Sequence, residues 1–122
     1  MPRHGHCTRC ASNPGGCSGR CRTLRKAAAL WRGGMEALEH DAATAEAMQR
    51  QALDMVRGLG GFPVLQARIH NNIGVILSCT GKNAEAGAEF ARALRLLEGR
   101  VDPQSQFCQV IARNHSRVSP AS

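Results

Sequence analysis

Between residues 24 and 118 the apolar positions recur at spacings of three and four, the interval that returns to one face of an α-helix. Leu24, Ala27, Trp31, Met35 and Leu38 form a first stripe, and Ala45, Met48, Ala52, Met55 and Val56 a second. Leu65, Ile69, Ile73, Ile76 and Leu77 make a third, and Ala86, Phe90, Ala93, Leu94 and Leu97 a fourth. Phe107, Val110, Ile111 and Asn114 give a weaker fifth. The breaks between stripes carry helix punctuation. Asp41 suits an N-cap, and Gly58-Leu59-Gly60-Gly61 closes the second stripe before Pro63 opens the third. Gly81 followed by Asn83 reads as a stop and a start. Asp102-Pro103 reads as an N-cap followed by proline in the first turn, where its missing N–H costs nothing. The spacing predicts five helices of roughly 14–18 residues with short connections, which makes neighbours antiparallel.

Composition supports this. The chain is 43% hydrophobic but only 3% aromatic, so Ala and Leu dominate, and these favour helices over sheets. At 122 residues it has room for one core. Three regions separate: a Cys-rich basic segment over 1–22, a helical domain over 23–118, and a polar end over 119–122.

An internal repeat organises the helical region. At an offset of 41 residues, Gly33 falls on Gly74, Ala45 on Ala86, Ala52 on Ala93 and Leu53 on Leu94. Small residues let two backbones approach, and Leu and Phe fill the space between successive pairs. A pair of this kind cannot bury its apolar face alone, so copies stack. Ile73-Gly74-x-x-Leu77, then Ala86-x-x-x-Phe90, then Ala93-Leu94 resembles the tetratricopeptide repeat signature. Asn71-Asn72 and Gly81 also suit that family. The first copy departs from it, with Gln49 in place of the Phe and Glu36 in place of the aromatic. In the second copy His70 stands where Trp is common.

The resemblance implies an all-α fold: antiparallel helix pairs stacked as a short solenoid, two repeats plus a C-terminal capping helix. The same stripes also suit an ordinary five-helix bundle. In the family, the first helix of each pair lines a groove that binds peptides or proteins. Carried over, the groove positions of the second copy are Arg68, Asn71, Val75 and Ser78, with Asn72 nearby. Arg and Asn suit a peptide backbone or carboxylate, because both hold planar acceptors. The first copy places Ala27, Leu30, Gly34 and Ala37 there. Trp31 and Met35, on an open first helix, suggest self-association into a homo-oligomer.

The N-terminal segment adds candidate metal chemistry. Cys7, Cys10, Cys17 and Cys21 form C-x2-C-x6-C-x3-C, with His4 and His6 just ahead. Four thiolates close a tetrahedral zinc site, and Gly15-Gly16 supplies a turn. Cys17 and Cys21 stand at i, i+4, so both sulfurs can share one side of a starting helix. An iron–sulfur cluster and a segment of reduced thiols remain alternatives. Cys79 and Cys108 read as small buried hydrophobes.

The net charge of +7 is uneven: residues 1–32 hold seven basic residues and no acid, and the remainder is balanced. A basic, zinc-holding segment could contact nucleic acid or sense metal or redox state. No aromatic lies between Met1 and Leu30 to stack on a base, so phosphate contacts would dominate. No catalytic constellation is legible: His40-Asp41 lacks a nucleophile, and Gly81-Lys82-Asn83 lacks the upstream glycine and Ser/Thr of a phosphate loop. No apolar run reaches the roughly 20 residues of a membrane span, and no signal peptide is legible. The expectation is a cytoplasmic adaptor binding a protein or peptide, with no membrane partner and no chemistry of its own.

Overall fold

The computed structural model of the chain describes residues 19–119. Those residues form five α-helices and no strand: α1 (Gly19–Ala37), α2 (Ala42–Leu59), α3 (Pro63–Cys79), α4 (Asn83–Leu97) and α5 (Gln106–Val118). The connections between α1 and α2, α2 and α3, and α3 and α4 are too short to do anything but reverse the chain, so each helix packs antiparallel on the next. Beyond these sequential neighbours, α3 also touches α1 on one side and α5 on the other. The third helix is therefore the centre of the molecule. Seven of its residues, from Ala67 to Leu77, are buried.

Local chemistry accounts for the start of α2 and for the turn that leads into α3. Asp41 caps α2: its Oδ1 accepts from the backbone N–H of Ala43 (3.0 Å) and Thr44 (3.3 Å), and its Oδ2 from the Thr44 hydroxyl (2.7 Å). These donors hold the Asp41 carboxyl below its ordinary pKa, the Thr44 side chain foremost. After α2, Gly60 and Gly61 take φ of 75° and 82°, and Phe62 follows in the left-handed region at 59°. Glycine accepts such angles without cost, and Pro63 then starts α3 with a preset φ. Arg20 ties the turn to α1: its Nη1 donates to the Leu59 carbonyl (2.9 Å) and its guanidinium lies 5.5 Å from the Phe62 ring centre.

Three local expectations shift. The first helix includes Gly19, four residues ahead of Thr23, so it takes in part of the segment set apart by composition. The last helix starts at Gln106, not at Pro103, because Asp102 makes a turn instead of a cap. Its Oδ1 accepts from Gln104 N (2.9 Å) and its carbonyl from Ser105 N (2.9 Å), leaving Ser105 to cap α5 through Cys108 N (3.3 Å). Cys79 is exposed, not buried, because it is the last residue of α3 and lies past the packed length of that helix. Cys108 is buried as expected.

The core runs through Ala52, Val56, Ala67, Ile69, Ile73, Leu77, Ala86, Phe90, Ala93, Leu97 and Ile111, one contiguous cluster across all but the first helix, which adds Ala27. Close helix approach is built on glycine. A Cβ on Gly74 would stand 2.5–2.8 Å from three ring atoms of Phe90 on α4. In the first pair the equivalent contact is made by Gly34, whose Cβ would stand 2.8 Å from Gln49 Nε2 and 3.2 Å from the Ala45 carbonyl. Gly34 and not Gly33 is thus the partner of Gly74. The second helices of the two pairs keep the 41-residue offset, and the first helices are offset by 40.

Candidate functional site

The residues expected to line a groove occupy one side of α3, and most of their polar groups are engaged within the chain. The Arg68 guanidinium lies 5.2 Å from the centre of the Phe107 ring on α5. Asn71 Oδ1 accepts from Asn114 Nδ2 (3.1 Å), and Asn114 Oδ1 in turn accepts from Arg117 (3.3 Å). Arg68 and Asn71 therefore hold α5 against α3. The Ser78 hydroxyl donates to the Val75 carbonyl in its own helix (2.8 Å). Val75 is half-buried against the core, and Arg68 stays exposed.

Asn72 points a different way. Its Nδ2 donates to Gln49 Oε1 (3.3 Å), and Gln49 Nε2 donates to the Trp31 carbonyl (2.7 Å). Gln49 is fully buried, so one side chain links α1, α2 and α3 at the place where a phenylalanine would otherwise fill the interface. Both ends of its amide are satisfied, which removes most of the penalty for burying it.

The 40-residue offset of the first helices changes the expected first-copy positions. Ala27 and Gly34 are buried, Gly34 against α2, and do not face a groove. The residues that match Arg68, Asn71, Val75 and Ser78 are Ala28, Trp31, Met35 and Leu38, each half-buried. Trp31 packs on the core. Met35 stays half-buried beside it, and among the described residues Val64 is an exposed large apolar side chain.

Of the cysteines read as metal ligands, Cys7, Cys10 and Cys17 lie outside the described residues. Cys21 is in the first turn of α1 and is half-buried. Among the described residues no group of three or more His, Cys, Asp or Glu side chains is placed to hold a metal ion, and no helix is long and apolar enough to cross a membrane.

A polar centre that sequence reasoning missed lies between α3 and α4. His70 Nδ1 donates to Glu89 Oε1 at 2.6 Å, and Arg92 Nη1 donates to Glu89 Oε2 at 3.0 Å. His70 is 3% exposed and Glu89 7%. Burial pushes the Glu89 carboxyl up, but the His70 hydrogen bond and the charges of His70, Arg92 and Arg50 outweigh it and leave the group below its ordinary pKa. In the sequence, His70 stands out only as a residue at a position where the repeat family commonly has Trp. No periodicity could pair it with an acid nineteen residues away on another helix.

Compared with known proteins, the chain matches no family model, no curated protein and no solved structure.

Proposed function

We propose that the chain is a protein-interaction module, with its two helix pairs stacked in the manner of tetratricopeptide repeats and α5 closing the stack. It acts as an adaptor that binds a peptide or protein segment and performs no chemistry of its own. The observation that supports this reading best is the repeated close approach at one place in each pair, Gly34 against Gln49 and Gly74 against Phe90. The position of α3 beside both α1 and α5 agrees with it, since the first helix of each pair then borders the next. The partner surface is the side of α1 and α3 carrying Met35, Leu38, Arg68 and Val75, where apolar patches adjoin a guanidinium.

Selection from a displayed library of random peptides, using the whole chain as bait, tests the reading. Selected peptides should bind saturably and should cross-link to a photoreactive residue at Met35 or Val75, but not at exposed Glu85 on α4. Binders that cross-link equally at Glu85, or no saturable binder at all, refute it.

A second reading is supported by the position of Cys21, which α1 holds at its first turn as a fixed end for a set completed by Cys7, Cys10 and Cys17. In that reading the segment carries structural zinc and has a regulatory role, contacting nucleic acid or sensing metal and redox state. Elemental analysis decides it: one zinc per chain, lost when Cys7 and Cys10 become Ser, supports the site, and metal-free protein excludes it.

A further inference from the structure

At about 100° of rotation per residue, Gln66 and His70 lie on the far side of α3 from Arg68 and Val75. There a cleft of about 310 Å³ opens between α2, α3 and α4. Arg57 enters it from the last turn of α2, Arg92 and Arg95 from α4, and Arg100 from just beyond α4, with Gln66 and His70 on the α3 wall. Four arginines and His70 thus line this one cleft.

The partners already present do not account for this grouping. Arg92 is held by Glu89, and Arg100 donates to the Leu96 carbonyl (3.1 Å), an ordinary contact near a helix C-terminus. The side chains of Arg57 and Arg95 make no hydrogen bond or ion pair among the described residues, neither to a carbonyl nor to an acid. Glu89 has both oxygens engaged, by His70 and Arg92, and cannot neutralise the other cations. His70 is 97% withdrawn from solvent, yet its Nε2 has no partner among the described residues. A buried ring nitrogen without a partner is costly, and like charges gathered in a cleft repel. An oxyanion between the guanidinium groups removes that repulsion.

We propose that this cleft binds a phosphate group. Guanidinium forks match the oxygens of phosphate, and several of them suit a doubly charged tetrahedral anion better than a single carboxylate. His70, fixed by its Nδ1 contact to Glu89, forms the polar part of the α3 wall beside the arginines. The face of α2 that carries Arg57 also carries Arg50, but Glu46 pairs with Arg50 (2.8 Å) and Asp54 lies one turn from Arg57, so acids interrupt the basic surface along that helix, unlike the track a polynucleotide needs. The phosphate belongs to a small phosphomonoester or to a phosphorylated side chain of a peptide. The site is independent of the groove proposed on the other side of α3.

Calorimetric titration of the whole chain with inorganic phosphate, at ionic strength held constant with chloride, tests the proposal. Saturable binding is expected, together with a phosphate-dependent shift of the His70 ring resonances by NMR. Arg57→Gln and Arg95→Gln should each weaken binding about tenfold or more. Both side chains are exposed, so the fold should survive, and circular dichroism checks that it does. Arg113→Gln, an exposed arginine on α5, should leave binding unchanged. A phosphoserine peptide that binds more tightly than inorganic phosphate, with the same dependence on Arg57 and Arg95, assigns the source to a phosphorylated protein segment; equal affinity assigns it to a small phosphomonoester. The proposal is overturned by an absence of saturable binding, by equal losses in all three variants, or by oligonucleotide binding that phosphate does not displace.

Discussion

Replacing Gly74 with alanine should destabilise the protein although alanine is the better helix former. The new methyl would lie 2.5 Å from Phe90 Cε1 and 2.8 Å from Cδ1 and Cζ, whereas carbon atoms rest about 3.5–4.0 Å apart. The ring must move by about 1 Å, but Phe90 is 1% exposed and packed in the central cluster. It has no solvent to swing into, so α3 and α4 must part. Overpacking of this kind costs about 1–3 kcal/mol, and the gain in helix propensity returns up to about 1 kcal/mol. The net expectation is a loss of about 1–2 kcal/mol. Gly58→Ala is the control: the residue is helical, exposed and has nothing within 4 Å of its Cβ, so that change should be neutral or stabilising by up to about 1 kcal/mol. Urea unfolding followed by circular dichroism measures both. A double variant, Gly74→Ala with Phe90→Leu, should lose less than the sum of the single changes by about 1 kcal/mol, because the smaller side chain makes room. The reasoning is refuted if Gly74→Ala is as stable as Gly58→Ala, or if the two sites prove additive.

Gln49→Met keeps most of the volume but leaves Asn72 without its acceptor, and should cost about 1–3 kcal/mol in the same assay. Ser105→Ala removes the cap of α5 and should destabilise by about 0.5–2 kcal/mol, with amide exchange quickening first at Cys108. Glu89 gives a pH dependence of definite sign. Its folded pKa lies below its ordinary 4.5, so its stabilising contribution is complete above that value and is lost as pH falls through the folded value. Glu89→Gln should therefore flatten the acid limb of the stability curve measured by urea midpoints between pH 6 and pH 3 (a span of roughly three units around the ordinary carboxylate range); an unchanged limb would show that other carboxylates govern it.

The helices were legible because the information that makes them is local. Apolar spacing, Asp41, the glycines before Pro63 and Gly81 each act within a turn or two, and all stand where they were read. What failed needed contacts between helices. Gly33 and Gly34 are adjacent and chemically identical, so alignment could not tell which one meets α2; only the approach of Gln49 to Gly34 decides it. The Asp102-Pro103 pair is equally good as a cap or as a turn, and Ser105, nearer the apolar stripe, takes the cap. The candidate groove was legible as a face but not in its engagement: Phe107 and Asn114, on the helix read as a cap, occupy Arg68 and Asn71. The arginine cleft was invisible because three separate elements supply it.

The buried polar groups follow from the shortage of aromatic residues. The chain has three Phe, one Trp and no Tyr, so of the two equivalent interface positions only one receives a large ring, Phe90, and the other receives Gln49. An interface of Ala and Gly carries little shape of its own, and a slip of one helix past another would change its buried area only slightly. A hydrogen bond does not tolerate such a slip. Gln49 reaches the Trp31 carbonyl and Asn72 in one register of α1 and α3, and His70 reaches Glu89 in one register of α3 and α4. A rise of 1.5 Å per residue means that a single-residue shift breaks contacts of 2.6–3.3 Å outright. Polar junctions thus set the alignment of helices whose apolar surfaces are too smooth to do so, and His70, held by Glu89 on one nitrogen, stands in the wall of the cleft that the arginines line.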